Sequence, residues 1–408
     1  MSVQGSRPAP LAGVRVVDMT WAWAGPHGTQ LLAWLGAEVI KVESHSRLDH
    51  SRMRSLMGGT LAGGPDHSPI FNDLNSNKLS ITLDLRRDEA RALLRRLVAV
   101  SDVLAQNMRP GVMERLGLGY DELCRVKPEL VMLSQSAVGS TGPERNYAGY
   151  APTFSALAGI ADLTGYPDEP PMPLSGSVDL RVGTAGALAV LAALYERRRT
   201  GRGRHIDLSS TEVMSAMIGE AFLELSMSGR SPQRAGNRHD VMAPHGCFAC
   251  AGPDEWVSIA VGGEREWAAL VSVLADPALA DARFAGPEDR WRNQDALDAI
   301  VERWTRARPV DAAVDALQLA GVPATRVHSE ESVGVDPHLL ARDFFPELEH
   351  PVVGKRRVVG TPWRFESADV GIRTPAPLIG QHNHAVLGGI LGLSEAEIER
   401  LVADGVVH

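Results

Sequence analysis

The first third of the chain alternates short, nearly unbroken apolar runs with amphipathic stretches. VRVVDM (14–19), AEVIKVE (37–43), LSITLDL (79–85), DVLAQN (102–107) and LVMLSQS (130–136) have strand length and few polar positions, the pattern of strands covered on both faces. Between them, GTQLLAWLG (28–36) and RDEARALLRRLVAVS (87–101) repeat apolar residues every three or four positions, as helices do. Strands separated by helices form right-handed crossover units and a parallel sheet, so the pattern predicts an α/β fold.

Further along, the glycine-rich stretch GSVDLRVGTAG (176–186) leads into the apolar run AGALAVLAAL (185–194). Leu188, Leu191, Ala192 and Tyr195 mark one face of a helix there, with Thr184 directly before it as the N-cap. The basic run ERRRTGRGR (196–204) closes that helix, its cations opposing the dipole and Gly201 supplying the cap. HIDLS (205–209) returns as a strand, and Ser209 with Glu212 forms a capping box for a helix running to Gly229. SGRSPQRAGNRHDVMAP (228–244) is a Gly/Pro/Arg-rich connector. After it, WVSIAV (256–261) and ATRVHS (324–329) read as strands, and EREWAALVSVLA (264–275), QDALDAIVERW (294–304) and PVDAAVDALQLAG (309–321) as helices. The expected organisation is a large domain over 1–227, a smaller α+β domain over 228–330, and a C-terminal return to the large domain over 331–408. That tail carries the hairpin HPVVGKRRVVGTP (350–362) and a last helix, SEAEIERLVADG (394–405).

Composition narrows the function. A net charge of −9 over 408 residues speaks against nucleic acid, whose phosphates demand clustered Lys and Arg. No apolar run approaches the roughly 20 residues of a bilayer span, and MSVQGSRPAPLAGVRVVDM lacks the features of a secretory signal. Three cysteines make no disulfide framework. The expectation is a cytoplasmic enzyme with no membrane partner. Cys247 and Cys250 form a C-x-x-C with His245 nearby, but without a second pair no four-ligand metal site is expected. APHGCFAC reads as a strand with its two cysteines on opposite faces. The opening strand–loop–helix unit ends in Glu43 and invites a dinucleotide reading. Its loop, WAWAGPHG, lacks the first glycine of G-x-G-x-x-G, which counts against NAD.

Asp179 is the one acid in the glycine-rich stretch before the apolar helix. From the residues alone it is either a helix cap or salt-bridge partner, or a carboxylate held out of water for chemistry.

Segments along the whole chain resemble the class III CoA-transferases, the family of formyl-CoA, carnitine and succinyl-CoA transferases that also holds α-methylacyl-CoA racemases. They are LAGVRVVDMT…AGP, LLAWLGAEVIKVE, FNDLNSNKLSITLDL, VLAQNMRPGVMERLGLGYDEL, TGRGRHIDLS, GNRHDVMAPHGCFACAGPDEWVSIAV and APLIGQHNHAVLGGILGLS. The resemblance implies a Rossmann-like large domain, a small domain and an interlocked homodimer. It makes Asp179 the nucleophile that attacks an acyl-CoA thioester, and it implies acyl-CoA and a small carboxylic acid as substrates, with no tightly bound cofactor and no metal. One hard acyl exchange is thereby divided into steps of comparable energy. Positions matching the family's CoA contacts are Trp23, Ala24, Leu83, Asp84, Leu85, Arg86, Asn107, Met108, Arg109 and Arg115. Arginine suits phosphate through its planar fork. Ser44 stands where some relatives carry an arginine, leaving Arg47 to take that contact. Tyr150 stands where the racemases carry a histidine base. A phenol titrating near pH ~10 is a poor proton acceptor at neutral pH, which disfavours racemisation. The alternatives are an α-methylacyl-CoA racemase and a non-catalytic CoA-binding subunit of a hetero-oligomer. Gly262–Gly263 reads as a plain turn and His239 as a backbone-bonding histidine.

Overall fold

The computed structural model describes residues 8–53, 61 and 63–408. The chain divides into two compact units: residues 1–162, 172–231 and 340–408 form one, and residues 163–171 and 232–339 the other.

The first unit is built on six parallel strands, β1 (Arg15–Met19), β2 (Glu38–Glu43), β3 (Lys78–Thr82), β4 (Val103–Gln106), β5 (Val131–Ser136) and β6 (Arg204–Ser209), in the order β3-β2-β1-β4-β5-β6. This is the doubly wound order in which the sheet reverses direction between β1 and β4. Side chains alternate across the sheet. Val17, Met19, Ile40, Val42, Ile81, Leu104 and Met132 pack on one face with Leu93, Leu94 and Leu97 of helix Asp88–Ala99 and with the C-terminal helix Glu395–Ala403. Val16, Val39, Val103, Ala105, Val131 and Leu133 pack on the other, against α1 (Ala24–Trp34) and α2 (Gly176–Thr200). Burial on both faces explains why these strands read as apolar runs rather than as alternating ones.

The glycine-rich stretch is not a loop. It forms about the first three turns of α2, which runs unbroken for 25 residues with Asp179 in its first turn. Thr184 is therefore no N-cap; it lies inside the helix, and its hydroxyl donates 2.8 Å to the Leu180 carbonyl. The glycines serve packing instead. A Cβ on Gly183 would stand 2.4 Å from the Ala24 carbonyl oxygen, and one on Gly28 would stand 2.8 Å from the Gly183 carbonyl oxygen. α1 and α2 meet backbone to backbone, and the contact offsets the ~1 kcal/mol that a mid-helix glycine costs. α2 is also long and apolar enough to span a bilayer, with mean hydropathy 1.5 over its most apolar 18 residues, contrary to the sequence expectation. Its Val190 and Leu194 are buried against the sheet face that α1 also covers.

The helix expected to run from Ser209 to Gly229 is interrupted. The Ser209 hydroxyl accepts the Glu212 N–H and caps only Ser210–Ser215. A tighter turn over Ala216–Ile218 follows, and then helix Gly219–Ser228, which ends at left-handed Gly229. The second unit pairs β7 (His245–Ala249), β8 (Trp256–Ala260) and β9 (Ala324–Arg326) antiparallel. Phe248, Val257, Ile259, Trp267, Leu270, Leu297 and Leu317 form its core. Cys247 is exposed and Cys250 buried on β7 and its end, and no cluster of three metal-ligating side chains occurs among the described residues. The tail adds a hairpin, β10 (Glu347–His350) with β11 (Gly354–Arg357), and the Ser394–Glu397 capping box of the last helix.

Gly183→Ala is expected to lower stability by about 1–3 kcal/mol, because its methyl meets backbone that cannot yield. Gly219→Ala, at a helical position with nothing within 4 Å of the added methyl, is expected to be neutral or slightly stabilising. Thermal melting of the two variants checks the pair.

Candidate active site

The strand order reverses between β1 and β4, and in an open doubly wound sheet the ligand crevice lies outside the carboxyl ends of the strands at that point. Its floor is ionic. Asp18 and Lys41 are register partners on β1 and β2, on the sheet face that α1 covers. The Lys78 ammonium lies 3.0 Å from Asp18 Oδ2 and 2.9 Å from each of the Pro26 carbonyl, Thr29 Oγ1 and Asn75 Oδ1. The Lys41 ammonium lies 2.8 Å from Asp49 Oδ2 and donates 2.9 Å to the Thr20 carbonyl. All four side chains are wholly buried. Burial works to raise the Asp18 and Asp49 pKa values, yet the two ammonium groups and the hydrogen bonds from Thr20, Ser51 and Ala22 hold both below the ordinary carboxylate value. Burial works to lower Lys41, and Asp49, Asp18 and Glu43 outweigh it and raise it. Lys78 is pushed down by burial to about 8 and is still charged at neutral pH.

This lattice holds the loop after β1 at both ends of each peptide. Asp18 accepts from the Thr20 N–H and hydroxyl at 2.9 and 2.6 Å. Asn107, just past β4, accepts from the Trp21 N–H and donates to the Trp21 carbonyl, both at 2.8 Å. Asp49 accepts from the Ala22 N–H at 2.9 Å. Ala22 needs that support, since its φ of 66° is left-handed, a conformation costing a non-glycine residue on the order of 1 kcal/mol or more. The strained turn carries Trp23 to the start of α1.

Asp179 meets this loop through helix geometry. Residues 176, 179 and 183 lie on one face of α2. Gly176 stands against the Trp23 ring, 3.7 Å from a Cβ placed there, and Gly183 against Ala24 and Gly28. Asp179, half-buried between them, shares their face. A small apolar cluster holds the same region together, with Ala24, Ala151, Val178 and Val182 among its members. Each of Trp23, Tyr150 and Asp179 is the chain neighbour of one of these. The start of α1 has no side-chain cap and no acid in its first turn, and α2 starts beside it, so two positive helix ends lie close to Asp179. Such ends favour a carboxylate and an oxyanion developing next to it.

The other residues singled out in the sequence separate into groups. Tyr150 is exposed and precedes helix Ala151–Leu157, forming a capping box with Thr153. Arg47 lies over the Trp21 ring at 4.1 Å. Met108 and Arg109 line a cleft shared with Ser134, Ser136, His205 and Asp207 at the ends of β4, β5 and β6. Arg47, Arg109 and Arg115 are exposed and form no ion pair among the described residues. Asn107 is spent on the Trp21 backbone. Arg86 is spent on Asp84, 2.7 Å away, and that guanidinium holds Asp84 down at about 2. These two and half-buried Leu85 lie past β3, two strands from the crevice. The Leu83 side chain is buried in the core, and its N–H donates to the Glu43 carbonyl at 2.8 Å. His239 Nδ1 accepts from the Val241 N–H at 3.2 Å. Trp21, Asp49 and the Asp18–Lys78 pair were missed. The signal for the pairs was present as charged residues inside apolar strand runs, such as Lys41 in AEVIKVE.

Known proteins resemble the chain over nearly all its length. The family model for CoA-transferase family III matches residues 11–383. A succinyl-CoA–D-citramalate CoA-transferase of Chloroflexus aurantiacus is 34% identical over 402 residues, covering 98% of each chain. An acetyl-CoA:oxalate CoA-transferase of Acetobacter aceti is 39% identical over 338 residues, covering 82% of this chain and 85% of the relative. The crystal structure of a CAIB/BAIF family protein from Brucella suis superposes with a TM-score of 0.84 at 34% identity, covering 94% of this chain and all of that one.

Removing one partner of the buried lattice, as in Lys41→Met, leaves Asp49 charged and dry and is expected to cost about 3–5 kcal/mol by chemical denaturation. The lattice also sets an acid limit. The folded pKa values of Asp18 and Asp49 lie below 3.8, so their contribution is complete above that pH and is lost as pH falls through the folded values. Melting temperature is expected to drop steeply below about pH 4 in wild type. Asp49→Asn, already weakened at neutral pH, should show a shallower acid limb.

Proposed function

Because the chain belongs to CoA-transferase family III, we propose that it moves CoA from an acyl-CoA donor to a small carboxylic acid, with Asp179 as the nucleophile. The observation that carries this reading is the position of the Asp179 carboxylate, on the α2 face between two glycines that touch Trp23 and Ala24. A carboxylate set against the open ends of two helices is held ionised and aimed, and a thioester carbonyl placed there meets backbone N–H groups as it gains charge.

The steps balance as follows. The Asp179 carboxylate attacks the acyl-CoA carbonyl and CoA thiolate leaves, giving a mixed anhydride. The thiolate attacks the Asp179 carbonyl and releases the donor acid, giving an aspartyl-CoA thioester. The acceptor carboxylate attacks that carbonyl, again releasing thiolate and forming the second anhydride. The thiolate then attacks the acceptor's acyl carbon, so the new acyl-CoA departs and the Asp179 carboxylate is regenerated. No proton is required in any step. Thiolate is retained through the cycle by anchoring the rest of CoA. Arg47, Arg109 and Arg115, exposed and without an ion pair among the described residues, are the groups we assign to its phosphates, with the Arg47–Trp21 stack offered to adenine.

A homodimer belongs to the same reading. Phe222, Leu223, Leu225 and Met227 on helix Gly219–Ser228, with Leu188 and Tyr195 on α2, are 48–78% exposed, and large apolar side chains left open in this number suit an interaction face. An interlocked pair would cover it.

Incubation with a panel of acyl-CoAs and acids, read as new CoA esters by mass spectrometry, is expected to show exchange by wild type. Asp179→Asn is expected to lose it by about three orders of magnitude or more with its melting curve unchanged; undiminished exchange in that variant overturns the mechanism. Light scattering on the eluting protein is expected to give twice the mass of one chain, and a single-chain mass removes the dimer from the account.

A further inference from the structure

The wall of the mouth carries a nitrogen donor with no part in the transfer steps. His50 opens the short turn His50–Met53. The residues around it, Asp49 and Arg52, are wholly buried, paired to Lys41 and to Glu43 at 2.8 and 2.9 Å. The backbone under His50 is thus fixed to the clamp that also holds the Ala22 N–H. The side chain is exposed. Its ring centroid lies 5.8 Å from that of Trp21, edge to face, and 6.5 Å from that of Tyr150. Trp21 therefore carries both the Arg47 guanidinium and the His50 imidazole against its ring. The imidazole makes no ion pair among the described residues.

An imidazole fixed at such a place does nothing for a monocarboxylic acceptor, whose single carboxylate goes to the aspartyl carbonyl. A dicarboxylic acceptor brings a second carboxylate that must either stay in water or find a donor, and an N–H to a carboxylate is a strong, charge-assisted bond. We propose that His50 selects the acceptor acid: its imidazole N–H binds the distal carboxylate of a short dicarboxylic acid while the proximal carboxylate reacts at Asp179. Trp21 and Tyr150 flank the ring, and a donor on anchored backbone discriminates more sharply than a mobile one. This inference rests on the transferase reading above.

The test compares matched acceptors, oxalate with acetate, succinate with butyrate and glutarate with valerate, in wild type, His50→Leu and His50→Gln. Wild type is expected to prefer the diacid of at least one pair. His50→Leu is expected to raise KM for that diacid at least about tenfold, with kcat and the monoacid KM little changed. His50→Gln, which keeps an N–H donor, is expected to recover part of the loss. Binding of the preferred diacid without CoA, followed by quenching of tryptophan fluorescence, is expected to weaken in the same order. The proposal is overturned if wild type favours monoacids throughout, if His50→Leu shifts both members of a pair alike, or if it shifts neither. Absence of exchange by wild type with every acid removes the transferase reading as well, so the two failures are told apart.

Discussion

The pairing of buried charges beneath the first loop is the constraint on which the rest of the site depends. Lys78 and Lys41 lie wholly out of water against Asp18 and Asp49. A buried ion pair is a poor source of net stability, since desolvation consumes most of what attraction returns. What this one supplies is position. Asp18 accepts from the Thr20 N–H, Lys41 donates to the Thr20 carbonyl and Asp49 accepts from the Ala22 N–H. A strained left-handed alanine between two tryptophans persists only where the surroundings over-determine it.

A second constraint sets Asp179 against that loop. Two glycines, 28 and 183, allow α1 and α2 to touch through their backbones. The approach brings the starts of both helices together, and their partial positive charges with them. Asp179, borne on a helix packed into a three-layer sandwich, has little freedom to move, which is what the proposed attack on a thioester carbonyl requires. Under the proposed function Arg47 and Arg109, exposed and without an ion pair among the described residues, are the complement of this order for a ligand with many phosphate oxygens.

The architecture was largely legible in the sequence because strands buried on both faces leave unbroken apolar runs, and the five leading strands fall within two residues of those runs, apart from the end of β3. The start of α2 was not legible. Glycine is read as a loop former, and nothing in a linear chain distinguishes a glycine that bends the backbone from one that admits a neighbouring helix, as Gly183 does. The same limit hid His50 and Trp21, whose significance comes from contacts between segments distant in the fold's layers rather than from any local pattern. Lys41 and Asp18 were visible as charges in apolar strands, an oddity that a parallel sheet tolerates only when each charge finds a partner, here Asp49 and Lys78. For Leu83 a motif match fixes a position along the chain and says nothing about which way its side chain turns, which is into the core.

The most direct measurement is the chemical state of Asp179 during turnover. Quenching the protein within milliseconds of mixing with acyl-CoA, followed by proteolysis and peptide mass spectrometry, should find an acyl or CoA adduct on the peptide holding Asp179, and the adduct should disappear when hydroxylamine is present at the quench. A protein that exchanges CoA at full rate while that peptide stays unmodified at every time point would contradict the account.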